Sequence, residues 1–156
     1  AMPVAALYGE EVYIVDVVYD DSPAEVTKPE CAKCLIDNKV GDALFESNNA
    51  GMYFARDVAE LVKNAGFNTS IRTKRTISNK QTRIEFASDG IKKHFYFKHP
   101  STYKRGCQYW GFMQEVTTYV RSGKVAHDDA PDSLSLLENE IRNRISGKIE
   151  IFKRPF

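Results

Sequence analysis

Between Val12 and Gly66 the hydrophobic pattern changes period repeatedly, and this switching limits the possible folds more than any other feature of the chain. Val12 to Tyr19 is a β-branched and aromatic run, and Thr27 to about Asn38 reads as a helix. Ala43-Leu44-Phe45 is a short apolar strand ending at Glu46, after which Phe54, Ala55, Val58, Leu61, Val62 and Ala65 fall on one helical stripe closed by Gly66. Strands that alternate with amphipathic helices need layers to bury both, so the expected class is α/β with a mixed sheet.

The remaining elements follow the same logic. Val4–Tyr8 and Val12–Tyr19 flank Gly9-Glu10 and predict a hairpin. Thr27 and Glu30 have capping-box spacing, with Pro29 placed in the first helical turn. Thr69 to Thr73 predicts a strand. Ile84, Ala87, Ile91 and Phe95 keep helical spacing from Lys80 to Phe95, with Gly90 a weak point. A helix from Gln108 to Val120 would turn Trp110, Met113, Val116 or Thr117, and Val120 inward and end at Gly123. The last helix, Ala130 to Ile145, would bury Leu134, Leu137, Ile141 and Ile145, and Lys148–Phe156 reads as a short edge strand. With 156 residues and no repeat or linker, one domain over 1–156 is expected. The 42% hydrophobic content is enough to exclude disorder as the main state. No apolar run reaches the roughly 18 residues of a membrane span, and Ala1–Ala6 has no secretory pattern, so a soluble domain is expected.

A formal net charge of +1 conceals an asymmetry. Residues 1–50 carry ten acids against Lys28, Lys33 and Lys39, whereas residues 72–105 carry ten bases against Glu85 and Asp89. Such polarity suits a basic face for phosphates beside an acidic cluster for cations, although ordinary solvated surface gives the same counts. Cys31 and Cys34 form a C-x-x-C on a predicted helix, with Cys107 distant. Buried structural thiols account for the pair, and a redox or metal role is the alternative.

Two segments carry candidate chemistry. Glu46 follows a strand and precedes Ser47-Asn48-Asn49, the kind of strand end where functional groups collect in α/β sheets; a solvent-facing glutamate is the plain alternative. His127-Asp128-Asp129-Ala130-Pro131-Asp132 opens a helix. One aspartate caps a helix, but three acids within five residues repel each other unless a cation offsets them. Oxygen donors of this type suit Mg²⁺ or Mn²⁺. Paired carboxylates holding such ions would serve phosphodiester hydrolysis. Arg72, Lys74, Arg75, Lys80, Arg83, Lys104 and Arg105, interleaved with aromatic residues, are the candidate contacts to a DNA backbone. His127 would orient a ligand or leaving group, or be a plain loop histidine.

Phe45-Glu46-Ser47-Asn48-Asn49-Ala50-Gly51 and the helix that follows resemble the second acidic motif of the tailed-phage terminase large subunit. His127-Asp128-Asp129-Ala130-Pro131-Asp132-Ser133-Leu134 resembles its last acidic motif. The resemblance spans the chain and points to the carboxy-terminal nuclease domain, an RNase H-like mixed sheet flanked by helices on both faces. It implies a metal-dependent endonuclease that cuts concatemeric double-stranded DNA in the host cytoplasm, with portal protein and the small terminase subunit as partners. The implied metal ligands are Glu46 and Asp129, supported by Asp128 and Asp132. No G-x-x-x-x-G-K-[ST] occurs, so no packaging ATPase is expected here. The family's first aspartate lies on a strand ahead of the hairpin. In this chain either Asp16, expected to share a face with Val12 and Ile14, takes that role, or the first strand is lacking. Two rival readings are a module that binds DNA or portal protein without cutting, and a resolvase- or transposase-type enzyme.

Overall fold

The computed structural model describes residues 1–47, 51–119 and 127–146, with side chains to residue 144. The order is β1 (Met2–Tyr8), β2 (Glu11–Val18), α1 (Ala24–Asp37), β3 (Asp42–Glu46), α2 (Gly51–Asn64), β4 (Ser70–Lys74), α3 (Lys80–His94), β5 (Phe95–Phe97), α4 (Gln108–Thr118) and α5 (Asp129–Ser146). The fold is therefore α/β. β1 and β2 form the expected hairpin, turning at Gly9, whose φ of 62° is the left-handed conformation glycine adopts without a steric penalty. β5 runs parallel to β2, pairing Val12 with Phe95 and Ile14 with Phe97. β3 and β4 form a separate parallel pair from Asp42↔Ser70 to Glu46↔Lys74.

Helices cover both faces of the three-stranded sheet. Val4, Val15 and Val18 pack with Cys31 and Leu35 of α1 and Val58 and Val62 of α2. Val12, Ile14 and Val17 pack with Tyr109 and Phe112 of α4 and Ala130 and Leu134 of α5. Between these two sets the strand is irregular: Val4 pairs with Asp16 but Ala5 with Ile14, so Val15 is an extra residue in β2. A bulge of this kind reverses the alternation beyond it. Asp16 consequently faces α1, opposite to Val12 and Ile14, correcting the face expected from simple alternation. Its carboxylate accepts hydrogen bonds from Asn38 Nδ2 at 2.8 Å and Cys34 Sγ at 3.6 Å.

Several sequence expectations shift. α1 begins at Ala24 with Pro23 at its cap, not at Thr27, because Val26 and Thr27 already donate to the Pro23 carbonyl; Pro29 thus lies inside the helix, on an exposed turn. The aromatic run at Phe95 leaves helix geometry and becomes β5, since pairing with β2 satisfies its backbone better than another helical turn. α4 is rotated by one residue, burying Tyr109, Phe112 and Glu115 where Trp110 and Met113 were expected. The stripe of α2 is narrower than predicted: Ala55, Val58 and Val62 are buried while Leu61 and Ala65 are exposed. Gly66 does close α2, at φ 79°, with its own N–H bonded to Lys63 O and that of Phe67 to Val62 O. Asn48, Asn49, Ala50, Val120, Gly123, the Ile145 side chain and the Lys148–Phe156 tail lie outside the described residues. No described helix is long and apolar enough to cross a membrane.

Candidate functional site

A groove of about 500 Å³ separates the two sheets, lined on its flanks by β1 and β3. Within β3 the residues alternate: Ala43 and Phe45 join the core under α1 and α2. Asp42, Leu44 and Glu46 therefore face the side covered by α5, where Arg144 pairs with Asp42, and Arg72, across from Leu44 on β4, reaches Glu140 at 2.8 Å. Glu46, Asp129 and Asp132 all line this groove. The end of β3 and the amino end of α5 are thus brought to one cleft and one face. Gly51 fixes the approach, because a Cβ there would overlap the Glu46 carbonyl oxygen, so only glycine lets α2 start directly against the end of the strand.

The cation that the acidic run demands is supplied by the protein. Lys80, the first residue of α3, places Nζ 2.7 Å from Asp128 and 2.8 Å from Asp129, and 3.8 Å from Asp132. Burial alone would lower its pKa, but hydrogen bonds to Asp128 and Asp129 outweigh that and raise it. The same Lys80 bond holds the Asp129 carboxyl below its usual value against partial burial. Asp132 belongs to a different pairing: its Oδ1 accepts from Arg83 Nε at 2.9 Å and Nη2 at 2.6 Å, and from Ser135 Oγ at 3.2 Å. Arg83 also donates to the Ser78 carbonyl and hydroxyl. Both partners are buried, with side chains 8% and 12% exposed. Asp132 thus ties α5 to α3 rather than standing open as a ligand, and Arg83 is withdrawn from any DNA backbone.

A residue outside the sequence expectation completes the helix end. Glu115, buried on α4, accepts the Ala130 N–H at 2.9 Å and is hydrogen-bonded by the Tyr19 hydroxyl, whose pKa burial and this bond push up to about 12. The free amides of α5 are therefore met by an acid from another helix, as well as by the local aspartates. Its only sequence signal is a charge on the apolar side of α4, visible once the helix is rotated correctly.

The other candidates are dispersed. Arg72 is bidentate to Asp42 at 3.0 and 2.9 Å, and Lys74 stands 3.8 Å from Glu140. Arg75, Lys104 and Arg105 are exposed, with Arg105 over the Trp110 ring at 5.8 Å. His127 is exposed. Cys31 and Cys34 are buried free thiols, raised to about 11 and about 12 chiefly by burial, so they stay protonated at neutral pH and poor nucleophiles.

Among the described residues no three Asp, Glu, His or Cys side chains meet as a ready ligand set. The oxygen donors are nonetheless of the right kind for Mg²⁺ or Mn²⁺, and Glu46, Asp128 and Asp129 would hold such an ion once Lys80 moves aside. Lys80→Met is accordingly expected to bind Mn²⁺ at least tenfold more tightly than the parent. Thermal melts should show a larger stabilisation of the variant at equal Mn²⁺. Asp129 should also titrate closer to an ordinary aspartate. Its depressed pKa makes a contribution to stability that is present above the unfolded value and lost as pH falls through the folded one, and this contribution should vanish in the variant. No family model matches this chain, and no curated protein does.

Proposed function

We propose that this chain is a metal-dependent DNA endonuclease module of the terminase large-subunit type, with an RNase H-like fold. The observation that carries the reading is the sharing of one groove and one sheet face by Glu46 and Asp129, from motifs 83 residues apart. Glu46, Asp128 and Asp129 would be the metal-binding acids. A bound Mg²⁺ or Mn²⁺ would supply charge neutralisation at the scissile phosphate and a more acidic water. The residues themselves fix the geometry. β3 presents Glu46 at its end, Glu115 and Arg83 hold α5 in place, and Lys80 keeps Asp129 ionised. Exposed Arg75, Lys104 and Arg105 are available for phosphate contacts. On the same reading the substrate is double-stranded concatemeric DNA in the host cytoplasm, with portal protein and a small terminase subunit as partners. The family's first aspartate would come from outside the described residues, since Asp16 is turned toward α1.

A second reading, a module that binds DNA or portal protein without cutting, is favoured by one observation: Lys80 and Arg83 already neutralise the acids of α5. A plasmid-nicking assay separates the two. The endonuclease reading predicts nicked and linear product with Mn²⁺ and none with EDTA. Retention of DNA that weakens steeply with salt, with no cleavage in Mn²⁺, would leave the second reading in its place.

A further inference from the structure

The groove between β1 and β3 does more than border the acids. β1 pairs with β2 on one edge and β3 with β4 on one edge, and the remaining edge of each has no strand beside it among the described residues. Both of these strands line the same groove. Unpaired strand edges present rows of N–H and C=O groups, and an extended backbone can satisfy two facing rows at once. The groove walls differ chemically. Toward α1 and α2 the lining is apolar, with Val4, Val18, Cys31, Leu35 and Phe54. Toward α5 it is mixed, with Leu136, Leu137 and Ile141 beside Asp129, Asp132 and Glu140. Of the charged residues around the whole groove, Asp20, Asp42, Glu46, Asp129, Asp132 and Glu140 face Arg144 as the one base.

We propose that this groove accepts an extended segment of a partner polypeptide, which adds as a strand between β1 and β3 and joins the two sheets. The walls specify its chemistry. It alternates, with β-branched apolar side chains toward α1 and hydroxyl or basic side chains toward α5, and it is basic at its ends to match the acidic rim. Five to seven residues match the lengths of the flanking strands, 5 for β3 and 7 for β1. The inference rests on the two strand edges and the groove lining, and is independent of nuclease activity.

The probe is the end-blocked peptide KVTVTVK, with KVTPTVK as control, since proline removes a ladder N–H and disrupts the strand. Fluorescence anisotropy should show KVTVTVK binding to the full chain at least tenfold more tightly than the control. Hydrogen exchange of alternate β1 amides should slow at least tenfold at saturation. A chain shortened after Ser146 should bind equally well. Three results would overturn the proposal: equal binding or no binding of both peptides; binding only by the shortened chain, meaning residues 147–156 already occupy the groove; or β1 protection that rises with protein concentration without peptide, meaning a second copy does.

Discussion

Replacing Arg83 with alanine is expected to destabilise the fold by about 3–5 kcal/mol, the cost of leaving a buried partner charge uncompensated. The Arg83–Asp132 pair is enclosed between α3 and α5, and Arg83 also satisfies the Ser78 carbonyl. Removing the guanidinium strands the Asp132 carboxylate beside Ser135, which is itself fully buried. For a chain of this size the melting temperature should fall by roughly 10 °C in a calorimetric scan. A surface ion pair would give less than about 1 kcal/mol, so a small effect would show that the pair is open to water. The control is Arg83→Met with Asp132→Leu, which removes both charges and keeps the volume. It should recover most of the loss, because the penalty lies in the orphaned charge more than in the pair itself.

The second large effect concerns cleavage. Glu46→Ala and Asp129→Ala should each lower Mn²⁺-dependent nicking by on the order of 100-fold or more, since even outer partners of a metal site cost 10–100-fold. Their melting temperatures should stay close to the parent's, because both side chains are exposed. Asp16→Asn should nick as the parent does, because its carboxylate bonds to Asn38 and Cys34 on the other face of the sheet. Equal cutting by Glu46→Ala, Asp129→Ala and parent would remove both residues from the site.

The α/β class, the hairpin, and the helices carrying Val58 and Leu134 were legible because each buries a stripe with a clear period. The misses have physical causes. Periodicity cannot show an inserted residue, and the extra Val15 turned Asp16 to the wrong face. Phe95 fits a helical stripe as well as a strand, and only its pairing with Val12 decides between them. In the site, the need for a cation at Asp128, Asp129 and Asp132 was readable from charge repulsion. That Lys80 and Arg83 supply it was not, because they lie 49 residues away from Asp129 and Asp132 in sequence and meet them only through the packing of α3 on α5. Their membership in a basic stretch pointed instead toward phosphate. Glu115 was hidden by the one-residue error in the rotation of α4.

The central claim is that the end of β3 and the start of α5 share one cation. Titrating Mn²⁺ into isotopically labelled protein and recording amide line broadening tests it directly, because paramagnetic broadening falls with the sixth power of distance. The account predicts that Glu46 and Ser47 broaden together with Asp128, Asp129 and Ala130 at substoichiometric Mn²⁺. Broadening of one segment without the other, or first at a site remote from both, would contradict it.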